Sequence, residues 1–82
     1  MFTNERSNHM MKLDDTFIGK NVRKFRDEKK MTQARLAEIA DLSVPYISYI
    51  EAGQRRVSLE TLCQIADALD VTVNDFLYDN VR

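Results

Sequence analysis

Thr32-Gln33-Ala34-Arg35-Leu36-Ala37-Glu38-Ile39-Ala40-Asp41-Leu42-Ser43-Val44-Pro45-Tyr46-Ile47-Ser48-Tyr49-Ile50-Glu51-Ala52-Gly53 is the stretch that decides the fold of this 82-residue chain. Thr32 and Ser43 each carry a hydroxyl that can accept from the free N–H groups of a helix's first turn. Two short helices are predicted to follow them, over about Gln33–Ala40 and Val44–Ala52. Pro45 is tolerated because it falls in a first turn, where no intrahelical N–H bond is lost. Gly53 stands where the second helix should stop. Leu36, Ala37 and Ala40 line one face of the first helix, and Ile47 and Ile50 line one face of the second. Small Ala37 lets the two backbones cross closely. The second helix is left with an outer face that no core position claims.

This is the layout of a helix-turn-helix, whose second helix is free to enter the major groove of DNA. The flanks carry further marks: Val22-Arg23-Lys24-Phe25-Arg26 upstream, Leu59-Glu60-Thr61-Leu62 and Ile65-Ala66-Asp67-Ala68-Leu69 downstream. With Thr32-Gln33, Leu36-Ala37, Ala40, Ser43, Ile47-Ser48, Ile50-Glu51 and Gly53, they resemble the lambda-repressor-like family of phage repressors and Cro proteins. The resemblance covers about residues 16 to 78. It implies an all-α fold, a compact five-helix domain with the helix-turn-helix at helices 2 and 3. It is specific for the fold, and not for the operator or the regulated gene.

Length and charge set the outer bounds. Eighty-two residues allow one domain. One cysteine excludes an internal disulfide framework and fits a reducing cytoplasm. No apolar run approaches the ~20 residues that span a bilayer, so no membrane partner is expected. The polar N-terminus lacks the apolar core of a signal peptide. Net charge is −1, which by itself argues against nucleic acid. Its distribution argues the other way. Residues 17–58 hold nine basic against five acidic side chains, whereas residues 59–82 hold one against five. The positive half coincides with the helix-turn-helix, and local field rather than total charge steers a polyanion.

Residues 1–15 are polar and unpatterned, and read as a flexible arm ahead of the domain at 16–82. Helix 1 is expected over about Phe17–Lys30, with Ile18, Val22, Phe25 and Lys29 at helical spacing. Helix 4 should start after Ser58 and run to Leu69, with Leu59, Leu62, Ile65, Ala66 and Leu69 inward. Thr72-Val73-Asn74-Asp75 resembles a capping box that opens a short helix 5. Cys63 lacks a basic neighbourhood and is expected to be packed or half-buried.

The outer face of helix 3 is Pro45, Ser48, Tyr49 and Ala52, with Val44 projecting from its N-terminus. In the family that these residues resemble, the positions of Val44, Pro45, Ser48 and Tyr49 supply most groove contacts. Here they offer no Arg, Lys, Asn or Gln, so the bidentate pairings to guanine or adenine are missing from this helix. Two hydroxyls and some apolar surface for thymine methyls remain. Gln33 is a further base-reading candidate. Its amide can reach a base edge or buttress helix 3, and its backbone N–H suits a phosphate. Phosphate candidates flank the groove: Thr32, Arg35, Tyr46, Gln54, Arg55 and Arg56. The resemblance implies an ion pair between Arg26 and Glu51 that braces helix 1 against helix 3.

One histidine and two glycines leave little material for an enzyme. No metal site, cofactor site or catalytic constellation is expected. The function expected is sequence-specific duplex DNA binding that regulates transcription, most simply as a repressor. The alternatives are an antitoxin or controller protein of a two-gene module, and a protein-interaction module using the same helical face. A homodimer on a palindromic operator is expected, with Phe76, Tyr78 and Val81 at its seam beside Val73 and Leu77. Regulation is expected from concentration, a regulatory protein partner or proteolysis.

Overall fold

The computed structural model describes residues 14–78. The expected arm lies outside them as far as residue 13, and so does Val81. Among the described residues the elements are five helices: α1 Asp15–Glu28, α2 Gln33–Ala40, α3 Val44–Glu51, α4 Leu59–Leu69 and α5 Asn74–Leu77. None is long and apolar enough to cross a membrane.

The first four helices start in the same way. Asp14, Thr32, Ser43 and Ser58 each accept from the N–H three residues on, at Phe17, Arg35, Tyr46 and Thr61, over 2.7–3.1 Å. Each such cap contributes on the order of 1 kcal/mol. Because Asp14 is the cap, α1 begins two residues earlier than expected and ends at Glu28. Lys29 is therefore an exposed cap residue rather than part of the inward stripe. The Thr72 and Asp75 side chains exchange bonds with each other's N–H groups, at 2.9 and 3.3 Å, just ahead of α5.

The first four helices also stop alike. A left-handed residue follows each: Lys30, Asp41, Gly53 and Asp70, with φ between 58° and 74°. The N–H of the next residue then reaches back to the carbonyl five positions earlier, over 2.9–3.1 Å. Only one of the four uses glycine, and an L-residue in this conformation costs roughly 1–2 kcal/mol. At the other three stops the next residue is Met31, Leu42 or Val71, and each packs against the core. That apolar contact offsets the backbone cost.

The core is built from one stripe per helix. Ile18 and Val22 of α1 meet Ile47 and Ile50 of α3, Leu36, Ala37 and Ala40 of α2, Leu62, Ile65, Ala66 and Leu69 of α4, and Phe76 of α5. α1 packs on α3, α4 and α5, and α2 on α3 and α4. Gly19 lets α1 cross α3 at close range. A Cβ on it would collide with the carbonyl oxygen of Ile50 and lie 3.0 Å from that of Glu51. Asn21, two residues on, is buried and donates its amide to the carbonyl of Phe76 at 3.0 Å, tying α1 to the end of α5.

Three expectations need correction. Leu59 is not inward but 66% exposed, because it heads α4 and points past the first turn, while Thr61 takes the buried place. Cys63 is exposed, on the outer face of α4. Phe76 is fully buried and packs edge-on against Phe25 at 5.9 Å, so it belongs to the core of one copy and cannot face a second.

Candidate nucleic-acid interface

Of the eight residues of α3, four are exposed and two are buried. Ile47 and Ile50 are fully buried beneath it. On its other side Pro45 and Ser48 are exposed, Val44 is 42% exposed and Tyr49 is 43% exposed. The period of the helix alone separates these sets, so the fold turns one continuous face of α3 to solvent. Val44 stands at the N-terminal end of this face.

At the C-terminal end of α3, Glu51 is drawn inward. Its side chain is only 4% exposed, and that of Arg26 is 11% exposed. Arg26 Nε donates to Glu51 Oε2 at 2.6 Å, and its second nitrogen donates to Oε1 at 3.0 Å. This is the fork geometry that suits a guanidinium to a carboxylate. The remaining nitrogen donates to the carbonyl of Met31 at 2.7 Å, which fixes the turn between α1 and α2. The Glu51 carboxylate raises the Arg26 pKa above its ordinary value, chiefly through that hydrogen bond and against the opposing effect of burial.

Gln33 joins the same carboxylate. Its Nε2 donates to Glu51 Oε1 at 3.0 Å. An ionised carboxylate only accepts, so the nitrogen must face Glu51 and the amide oxygen must face away. Gln33 thus buttresses α3, one of its two expected roles, and offers its oxygen and second N–H outward. Half-burial leaves this outer edge reachable.

The remaining candidates are spread around α3. Thr32 spends an acceptor on its own helix cap. Arg35 is exposed and pairs with Glu38 at 2.9 Å, one turn along α2. Tyr46 is half-buried, its ring against the core. Gln54 is exposed and its N–H closes the end of α3 on the carbonyl of Tyr49. Arg55 and Arg56 are adjacent and exposed, but they diverge. The Arg55 guanidinium lies over the Tyr49 ring, 5.3 Å from its centroid. Arg56 lines a groove on another side, with Asp15, Leu59 and Leu77.

A family model described as helix-turn-helix matches residues 22–76, which spans α2 and α3 and most of the packing around them. The chain belongs to the lambda-repressor-like helix-turn-helix family. This is a family of DNA-binding transcription regulators. Among relatives in the family, control protein C.BamHI of Bacillus amyloliquefaciens is 45% identical over 61 residues, 73% of this chain and 75% of that one. The crystal structure of the restriction-modification controller protein C.AhdI from Aeromonas hydrophila superposes with a TM-score of 0.75 at 33% identity, covering 77% of this chain and 96% of that one. The controller C.Esp1396I, solved as a tetramer with its natural 35 base-pair operator, gives a TM-score of 0.72 at 32% identity, covering 79% and 86%. Longer regulators are matched only in part: the chain spans 13% of one and 40% of a phage immunity repressor.

Four features of this family member escape a reading of the sequence. Gly19 and Asn21 sit within α1 with no local signal, since their roles depend on what α3 and α5 bring against them. The Met31 carbonyl as an acceptor for Arg26 is invisible in side-chain patterns. The Tyr49–Arg55 stack crosses a helix end, where periodicity stops being informative. A glycine inside an otherwise good helix was the one available hint.

Proposed function

We propose that the chain binds a specific duplex DNA operator as a homodimer and regulates transcription there. The observation that carries this reading is the split of α3 into a braced underside and a continuous exposed outer face. Val44, Pro45, Ser48 and Tyr49 on that face, with the outward edge of Gln33, are assigned to base edges. Thr32, Arg35, Tyr46, Gln54, Arg55 and Arg56 are assigned to phosphates in the first instance. The excess of basic residues between positions 17 and 58 supports attraction to a polyanion. No enzymatic activity is assigned, and the place of action is the cytoplasm.

One helix-turn-helix covers a half-site, and this α3 has no side chain for bidentate readout. Two copies over two half-sites double the contacts. Leu59, 66% exposed, stands across an apolar groove from Leu77, next to Tyr78 at 37% exposure. With Phe76 committed to the core, Leu59, Leu77 and Tyr78 are the apolar surface that a second copy would cover, with Val81 beyond the described residues.

Relatives matched over most of both chains include control proteins, one of them a restriction-modification controller, and other regulators such as the clp gene regulator ClgR and the biofilm regulator SinR. A repressor and the controller of a two-gene module both fit this set. Selection of bound fragments from random duplex DNA tests the reading. A palindromic site occupied by two copies is the expected result. One copy on an asymmetric site would end the dimer, and salt-insensitive or absent binding would move the exposed face to a protein partner.

A further inference from the structure

We propose that Arg55 is a base-reading residue, held for that task by Tyr49, and that it selects a guanine in each half-site. The inference rests on the DNA-binding reading above and reassigns Arg55 from clamp to reader.

The sequence of α3 poses the problem. Val44, Pro45, Ser48 and Tyr49 include no side chain able to grip guanine or adenine at two points. The loop after α3 supplies what the helix lacks. Gly53 adopts φ 74° and donates to Ile50, and Gln54 donates to Tyr49, at 3.0 and 2.9 Å. These two bonds turn the chain back on itself at the end of α3. The turn brings the Arg55 guanidinium over the Tyr49 ring, 5.3 Å from its centroid. Tyr49 lies on the outward face of α3, so the cation sits at that face too. Arg56 does not follow it and lines the groove beside Asp15 and Leu59 instead.

The other arginines of the described residues that make ion pairs are already engaged. Arg23 pairs with Asp27, Arg26 with Glu51 and Arg35 with Glu38. No carboxylate among the described residues pairs with Arg55. A guanidinium held over a ring keeps an N–H edge free to donate. That edge fits the two acceptors of guanine, O6 and N7, in the major groove. A stacked side chain also has less rotamer freedom to lose on binding. A phosphate clamp needs charge alone, and lysine would serve. A platform that holds the fork in place is useful only where direction matters.

The test is selection from random duplex DNA with the wild-type chain and with R55A, R55K, Y49F, Y49A and R56A, followed by binding to the selected site and to its single-base variants. Arg55 and Tyr49 are both outside the core, and thermal melts check that each variant is folded. The expected wild-type site has a guanine in each half. R55A and R55K both lose preference at that base, by roughly tenfold to a hundredfold. Y49F, which keeps the ring, retains the preference, and Y49A weakens it. R56A leaves base preference unchanged. A uniform loss with R55A on all sequences, with the salt slope shallower by about one and R55K restoring affinity, would overturn the inference and return Arg55 to the phosphates. Failure of the wild-type chain to prefer any duplex would overturn the DNA-binding reading itself, and this inference with it.

Discussion

The two sides of α3 are built on opposite terms. Beneath, every polar group has a partner. Glu51 accepts from both nitrogens of the Arg26 fork and from Gln33, and Ile47 and Ile50 are fully enclosed. Above, Val44, Pro45, Ser48 and Tyr49 meet solvent and make no contact that the fold needs. The difference shows how an eight-residue helix, too short to be stable alone, can present a rigid face. Its order comes from the underside, which frees the outer side chains to be chosen for a partner. Gln33 and the Tyr49–Arg55 stack lie on the border, where the brace extends toward the presenting face.

The sharpest way to break this comparison is to unpair the brace. Arg26→Ala or Glu51→Ala should destabilise by about 3–5 kcal/mol, because each leaves a charge buried without its partner. Thermal unfolding measures it. The double variant should cost less than the two single costs together. Small, additive effects would mean that the pair behaves as a surface pair of roughly 0–1 kcal/mol. The pH dependence has a definite sign. A raised Arg26 pKa gives stability that is fully present below the unfolded value and lost only as pH rises through the folded one. Between about pH 6 and about pH 9, titration of Arg26 should therefore leave the melting temperature unchanged.

Next comes the crossing of α1 under α3. Gly19→Ala should destabilise by about 1–3 kcal/mol or more, although alanine favours helix by about 1 kcal/mol at an open site. The new methyl meets backbone of Ile50, which cannot swing aside as a side chain would. A neutral or stabilised variant would show that the crossing is looser than described.

The outer face should respond in the opposite sense. Tyr49→Ala should change stability by no more than about 0.5 kcal/mol. It should weaken binding to the selected site by roughly 1–3 kcal/mol and spare non-specific binding. A fall in melting temperature as large as that of Glu51→Ala would erase the division between the two sides.

The smallest effect concerns the helix stops. Asp70→Gly relieves a left-handed aspartate and should stabilise by up to about 1 kcal/mol, as the backbone relief exceeds glycine's entropic cost. Denaturant unfolding can resolve it. Gly53→Ala should do the reverse, since its Cβ would lie 2.9 Å from Thr16 Cα.

The sequence made the helices legible because their signals are local. Thr32, Ser43 and Ser58 are caps within three residues of the groups they serve, and the limits of α2 and α4 follow from them. The inward stripes of α2 and α3 follow from period alone. What stayed hidden is non-local. Leu59 is apolar at an inward-looking period, yet it heads α4, where there is no neighbouring turn to cover it. Phe76 reads as a seam residue in the sequence, yet α1 brings Phe25 against it and places it in the core. The candidate interface divided in the same way. The exposed positions of α3 were readable from the helix period, but the coupling of Arg55 to Tyr49 and of Gln33 to Glu51 depends on how separate elements meet.

Whether the outer face of α3 reads DNA while its underside holds the fold is decided by a salt titration of wild-type binding. The affinity is measured for the selected site and for a scrambled duplex of equal length, over a range of salt concentrations. The logarithm of affinity is expected to fall linearly with the logarithm of salt on both, with a slope of about −0.9 per phosphate neutralised, and the selected site to stay tighter throughout. A flat salt dependence, or equal affinity for the two duplexes, would contradict this reading.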